Sequence, residues 1–442
     1  MRDLMVLGMM VVLVPMSLRN GYIAYLLWGW AGLASVTSYL YGFMAGFQYS
    51  LAFSLIALTL FLFRNDPRNR PFERNRTTTL YAFFAIQVVM SASFAYNGHP
   101  RNWEIATNVL KTLVFCTLMP MLVTSRLRVH ALVLLMAVAT GYHGLVDGLK
   151  YINSGGRHFA AGIQKYGDNN HFAIALVMAI PLLVYCFRYA ANRVVRLGFA
   201  VATPLVVLAV IATQSRGGFM CLLAVGIWFA LTSRHKFAGL FGIAFCAFLV
   251  IQLAPEQWTE RMNTIGAAGE DYSMMGRIGA WRISSAIALA HPLLGGGLHS
   301  VEIGPVWNMF RDAPNLLWFV SNLDLDGLPG GGRAAHSIYF ETMGDLGFVG
   351  LFIFVAILFN AFITAREVVA MAKLGGSKFN WAGDLAHMLS ISVIAFAIGG
   401  ALLSAAYFEL PYMLFMLLEV LKRQVRAALP EFDNRAKLTP VR

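Results

Sequence analysis

The side chains in this sequence that could perform chemistry are one histidine and a scattered set of cations. His336 stands in "GGRAAHSIYFETMGDLG" (331–347), between a glycine run with an arginine and a long apolar stretch of helical character. Arg216 follows Ser215 in "TQSRGG", where an apolar run over 217–232 begins. Arg277 opens "GRIGAWRISSAIALAHP" (276–292), with Trp281 one turn later on the same helical face. "GGRHFAAGIQKYGDNNH" (155–171) adds Arg157, Lys165, Asn170 and His171 ahead of another apolar run. A serine just before a helix caps it, and helix N-terminal amides beside a guanidinium make an anion site. Histidine accepts a proton near neutral pH. The set therefore reads as one titratable base beside a group of cations suited to an anion.

Each residue also has a plain structural alternative. Arg216 could be an interfacial arginine whose stem lies along apolar surface, although no acid sits near it in sequence. Arg277 could pair with Glu270 or Asp271. Arg157 and Lys165 could be ordinary loop cations, and His336 a structural histidine. Asn170, His171 and Trp281 could be packing residues. Tyr339, Phe340, Met343, Gly344 and Gly347 share a helical face with His336 and read as a helix–helix packing stripe.

The elements that must position these residues are membrane spans. The chain has 442 residues, 58% hydrophobic and 13% charged, against about 25% charge in soluble domains. Apolar runs near 20 residues recur, the length that crosses a bilayer. After an N-terminal region at 4–40 they fall at 43–63, 77–96, 104–123, 129–150, 171–187, 197–213, 217–232, 237–254, 337–365, 385–404 and 406–421. Pro15, Arg19 and Gly21 interrupt the first region, which makes either one broken crossing or a short hairpin. No cleavable signal peptide is expected, because no small-residue cleavage site follows 4–18. Arginines crowd "RNDPRNRPFERNR" (64–76), and the loops at 124–128, 188–196 and 233–236 are also basic, which assigns them to the cytoplasm. The net charge of +12 reflects this topology, and no nucleic-acid motif accompanies it. The break at 255–335 holds eight acids and five arginines and faces the other side. Within it, 276–292 reads as a helix capped by Asp271 or Ser273 and ended by Pro292 and Gly295–Gly297. Cys116, Cys186, Cys221 and Cys246 all lie in apolar runs, and no CxxC or HxxxH spacing suggests a metal.

The order "SRGG", "GRIGAWRISSAIALAHPLLGGG", "HSIYFETMGDLGFVG" resembles the O-antigen ligase/polymerase family of bacterial inner-membrane glycosyltransferases. In that family a serine–arginine follows an apolar span, an arginine–x–x–x–tryptophan helix ends in proline and glycines, and a histidine opens the next span. "RHFAAG…DNNHFA" is similar to the family's arginine-to-asparagine segment. The N-terminal "LRNGYIAYLLWGWAGLASVTSYLYGF" resembles the subgroup named as O-glycosylation ligases. The expected fold is an all-α polytopic membrane protein with about 12 transmembrane helices and one long periplasmic loop carrying short helices. Its expected parts are a transmembrane bundle at 1–254, a loop subdomain at 255–335, C-terminal transmembrane helices at 336–421 and a cytoplasmic tail at 422–442.

The resemblance implies a glycan donor on undecaprenyl diphosphate. Transfer needs a base for the acceptor hydroxyl, the expected role of His336. A helix N-terminus disfavours imidazolium and would keep that histidine neutral. The departing diphosphate needs positive charge, expected from Arg216 and Arg277 with Arg157 and Lys165. Asn170, His171 and Trp281 are further candidates. No metal or other cofactor is implied, and single-step attack opposite the leaving group inverts the anomeric centre. The implied activity is O-antigen ligation to lipid A–core at the periplasmic face of the inner membrane, with membrane lipids as surroundings and no nucleic acid as partner. O-antigen polymerisation and protein O-glycosylation are alternatives. A lipid-linked oligosaccharide flippase would instead show polar residues near midspan, internal repeats and broken helices.

Overall fold

The computed structural model describes residues 2–64, 66–96, 99–232, 237, 272–319 and 331–429. The 237–254 span beyond Phe237, the segment 255–271 and the tract 322–330 lie outside the described residues. All regular elements among the described residues are helical. Helices α1 (Arg2–Arg19) and α2 (Gly21–Ala34) meet at Asn20, whose side chain accepts the Tyr22 amide at 3.1 Å. The N-terminal region is therefore two helices. There follow α3 (Tyr49–Phe63), α4 (Arg76–Ser93), α5 (Pro100–Leu122), α6 (Arg126–Asn153), α7 (Asn169–Tyr189), α8 (Arg193–Ala212) and α9 (Arg216–Thr232). Next come α10 (Tyr272–Ala290), the short α11 (Gly304–Phe310), α12 (Ile338–Leu374), α13 (Asn380–Gly399) and α14 (Glu409–Ala427).

Single polar residues start half of these helices by taking an orphan first-turn amide. Asn75 accepts from Thr78, Ser125 from Arg128, Asp168 from His171 and Asn192 from Val194. Ser215 does the same for α9, its hydroxyl accepting the Gly218 amide at 3.0 Å. Ser273 lies inside α10, which begins earlier than expected, so it is not the cap.

Among the described residues, six helical stretches are long and apolar enough to cross a membrane: Pro100–Leu122, Arg126–Asn153, Asn169–Tyr189, Arg193–Ala212, Ile338–Leu374 and Gly376–Leu402. The expected total is about 12 and includes the 237–254 span, which beyond Phe237 lies outside the described residues. Tyr49–Phe63 and Arg216–Thr232 are apolar but shorter. Helices α4 and α14 are diluted by polar residues that face inward: Thr77, Thr78, Gln87 and Ser91 on α4, and Glu419 on α14, are buried. Glu419 accepts from Thr77 at 3.1 Å and Thr364 at 3.3 Å, and Asn360 donates to Thr77 at 2.8 Å. These bonds tie α4, α12 and α14 together where apolar burial offers no driving force between helices.

Helix α12 packs on α4, α10, α13 and α14, and α13 packs on α7 and α9. Residues before and after the long break thus share one apolar core. A second, small core under the loop joins Ala280, Ile283 and Ile287 of α10 to Val301, Trp307, Phe310 and Ala335.

Helix α12 is broken nine residues in. Gly347 has φ 71° and ψ −172°, a conformation open essentially to glycine alone. The break frees backbone groups that need partners inside a membrane protein. The carbonyl of Gly344 accepts the Gly296 amide at 2.9 Å, and that of Asp345 accepts the Gly297 amide at 3.1 Å and the Ser91 hydroxyl at 2.6 Å. Gln87 donates to Leu346 at 2.8 Å, and the Phe348 amide donates to Pro292 at 2.9 Å. The glycine run after Pro292 permits this approach: a Cβ on Gly295 would stand 2.4 Å from the Asp345 carbonyl oxygen. Gly344 lies against Ser284 of α10, where a Cβ would meet Ser284 Cα at 3.0 Å. Gly347, expected on the same packing stripe, is instead the break.

Candidate active site

His336 lies two residues before α12, half buried, with φ 45°. Positive φ is uncommon for a side chain other than glycine. Two bonds hold the residue there. Its amide donates to Ser404 Oγ at 2.7 Å, and the preceding Ala335 carbonyl accepts the Trp281 indole N–H at 2.7 Å. Trp281 in turn stacks on Phe340, with ring centroids 5.0 Å apart. Among the described residues, the buried Nδ1 of His336 has no hydrogen-bond partner. Burial and then the positive charge of Arg277 hold the imidazole below its ordinary pKa, against the pull of Asp168, Glu302 and Glu341. A neutral imidazole with an uncommitted ring nitrogen is what proton acceptance requires.

A cavity of about 670 Å³ opens beside His336. The starts of α5, α7, α12 and α14 line it, through Arg101, Asp168, Glu341 and Glu409 among others. Lys165 and His171 also reach it. The Lys165 ammonium is held by the Gly32 carbonyl and by Glu409 at 3.1 Å. His171 lies edge-on to Phe408 at 5.0 Å, with its buried Nε2 unpartnered among the described residues. Carboxylates dominate this wall, and Glu104 and Glu302 add to it.

The three arginines expected as anion ligands lie elsewhere. Arg157, Arg216, Arg277, Asn170 and Trp281 are not among the described residues lining the cavity. Arg157 is exposed, its Nε donating to the Ser154 carbonyl at 3.2 Å. Arg216 is half buried at the first position of α9. The preceding Ser215 donates to Asn170 Oδ1 at 2.7 Å, so Asn170 joins the start of α9 to the start of α7. Arg277 sits half buried on α10, close enough for its charge to act on His336. Arg333 crosses α10 next to it, since a Cβ on Gly276 would meet Arg333 Nη1 at 2.6 Å. Arg216, Arg277 and Arg333 all engage other groups of the protein. His336 thus stands between a guanidinium-bearing face on α10 and a carboxylate-rich cavity.

Sequence spacing missed a buried cluster beside this cavity. His299, at φ 54°, places Nδ1 3.1 Å from Glu302 and Nε2 3.2 Å from Glu341. Arg101 reaches Glu302 at 2.9 Å, and Glu341 also accepts the Ala406 amide at 2.9 Å. Tyr407 donates to Asp345 Oδ2 at 2.9 Å, while Asp345 Oδ1 is buried without a partner among the described residues. His299, Glu341 and Asp345 offer ligand atoms within 4.8 Å of one another, a spacing open to a metal ion. The electrostatics favour a different occupant. Burial alone would push the imidazole down, but the bonds and charges of Glu302 and Glu341 raise it to about 10. A metal ligand must be neutral imidazole, and the carboxylates favour the protonated form of His299, so a proton competes with a metal ion for this site. The signal available in sequence was Glu341 and Asp345, two acids four apart on an apolar helix.

Comparison with known proteins adds two matches. Residues 200–355 match the family described as O-antigen ligase, and residues 1–191 match a family of unknown function. The N-terminal stretch that resembles O-glycosylation ligases falls inside the second match. No curated protein matches the chain. The first match takes in Arg216, Arg277, Trp281, His336 and the broken start of α12, on a chain with six apolar helices of spanning length. Over residues 200–355 the chain is thus similar to the O-antigen ligase family, and its long apolar helices are those of a multi-pass membrane protein.

Proposed function

We propose that this protein is an O-antigen ligase. It transfers a glycan from undecaprenyl diphosphate to lipid A–core at the periplasmic face of the bacterial inner membrane. The observation that carries the reading is the environment of His336: an imidazole biased to neutrality, with a ring nitrogen uncommitted, at a cavity walled by helix starts. In the proposed reaction the acceptor hydroxyl occupies the cavity, and the carboxylates around it accept hydrogen bonds from sugar hydroxyls. His336 takes the hydroxyl proton as oxygen bonds to the anomeric carbon. The bond to the diphosphate breaks on the opposite side, so configuration inverts. Arg277 and Arg216 receive the departing diphosphate, the first from α10 and the second from the start of α9. Lys165 and Arg157 take smaller parts, because Lys165 is already engaged with Glu409 and Arg157 is exposed outside the cavity. No step requires a metal.

Two features resemble those of a flippase, the break in α12 and acids within it. Both lie in its first three turns, at the end that carries His336, and loop backbone closes the break. They therefore favour a site at one end of the bundle over a path through it. Reconstitution in liposomes with undecaprenyl-diphosphate glycan and purified lipid A–core tests the reading. Glycan-bearing lipid A–core is the expected product. Lengthened lipid-linked glycan with unmodified lipid A–core would make the protein a polymerase, and movement of intact donor without transfer would make it a transporter.

A further inference from the structure

The opposite end of the bundle carries a second polar cleft that the transfer reaction does not use. Helix α14 runs from Glu409 at the His336 cavity to Arg426 at this cleft, about 30 Å for its length. Helix α5 makes the same passage, from Arg101 to Pro120. The cleft holds about 700 Å³. Arg70 and Arg74 line it from the loop before α4, Arg76 from the first position of α4, and Lys422, Arg423 and Arg426 from the end of α14. Glu367 of α12 pairs with Arg76 at 3.3 Å and with Lys422 at 2.5 Å, which leaves Arg70, Arg74, Arg423 and Arg426 facing the two carboxylates of the lining. Both are engaged: Glu73 takes Arg423 at 2.7 Å, and Glu419 is turned inward to Thr77 and Thr364.

Topology alone accounts for arginines in a loop. It does not require them to meet cations from a helix end 350 residues away in sequence around one cleft. Specific bonds hold the two segments in this arrangement. The Arg70 amide donates to the Met121 carbonyl at 3.0 Å, Arg423 to that of Pro120 at 3.2 Å, and Gln424 to that of Val123 at 3.0 Å. Apolar side chains lie exposed at the same end: Phe63 at the close of α3, Phe72 in the loop and Leu127 at the start of α6. Cations around a cleft, with exposed apolar groups beside it, fit a ligand that is anionic at its head and apolar in its body.

We infer that this cleft binds the phosphate-bearing headgroup of an anionic membrane lipid, with two phosphates as the best match to cations on both walls. Arginine's planar fork suits phosphate oxygens, and charge-assisted bonds are stronger than neutral ones. The proposal is independent of the transfer reaction.

The test measures lipid retention by the detergent-purified full chain in native mass spectrometry. The probes are diphosphatidylglycerol, phosphatidylglycerol and zwitterionic phosphatidylethanolamine. Wild type should hold diphosphatidylglycerol about tenfold or more tightly than phosphatidylethanolamine, on the scale of one charged hydrogen bond. The Arg70→Gln/Arg426→Gln variant, which leaves the Arg423–Glu73 pair intact, should lose that preference while melting at the wild-type temperature. Thermal shift with inorganic pyrophosphate is the second arm. A saturable shift that depends on Arg70 and Arg426, with the lipids inert, would make a soluble phosphate the source of the same chemistry. Equal retention of anionic and zwitterionic lipids, or a well-folded variant that binds like wild type, with no pyrophosphate shift, would overturn the proposal.

Discussion

Trp281 and Ala335 are joined by an indole N–H to carbonyl bond of 2.7 Å, which fixes the backbone one residue before His336. The Trp281 ring is anchored separately on Phe340. The two contacts can be parted. Trp281→Phe keeps an aromatic stack and loses the bond, worth about 1 kcal/mol. The turnover number should fall about fivefold with donor KM and melting temperature near wild type, and Trp281→Ala should lose more of both. A larger change in donor KM than in turnover, measured in a steady-state transfer assay, would place Trp281 in donor binding instead.

His336→Ala should fold, bind donor and lose transfer by about 10²–10⁴-fold, the range for a general base. The pH profile carries a sharper expectation. Imidazolium cannot accept a proton, so activity falls as pH drops through the imidazole pKa. Burial and Arg277 hold that pKa below 6.5, so the acid limb of kcat/KM should lie below pH 6.5. Arg277→Gln removes one depressing influence and should move the limb to higher pH, beside any loss of donor affinity. An acid limb that stays in place would separate Arg277 from His336.

Gly347→Ala should destabilise the protein. A Cβ there meets the Pro292 carbonyl oxygen at 2.6 Å, in a conformation that costs another side chain about 1–3 kcal/mol before any clash. Gly8→Ala is the control, since nothing lies within 4 Å of a Cβ at that position. Thermal unfolding in detergent should show a clear fall for the first and none for the second. Equal midpoints would mean that α12 straightens at little cost.

Transfer should survive excess EDTA. His299, Glu341 and Asp345 are close enough to hold an ion, but the carboxylates favour a protonated His299, whose charge would meet them without one. Loss of activity on chelation, restored by a divalent ion and abolished by Asp345→Asn, would reverse that assignment.

Most helices were legible because their apolar runs and caps are local. Ser215 before α9 and the paired Arg277 and Trp281 on α10 needed only spacing. Helices α4 and α14 were read as ordinary spans, because a hydropathy window does not see Thr77, Asn360 and Glu419 satisfying one another across three helices. His336 was legible as a candidate base from its place before an apolar helix, but its neighbourhood was not. His299, Glu341 and Arg101 lie far apart in the chain, and only tertiary packing makes them one network. The engagement of Lys165 with Glu409, 244 positions on, was hidden for the same reason. Gly347 looked like packing because glycine serves both close approach and unusual backbone, and sequence alone does not say which.

The seam between the glycine-rich loop and the broken start of α12 also limits how the protein can be recombined. Its partners come from three stretches of chain: Gln87 and Ser91, residues 292–297, and residues 344–348. A chimera that imported only the loop of a relative would leave buried amides and carbonyls facing strangers. Exchange of this region between relatives should succeed as a three-piece transplant and fail as a cassette.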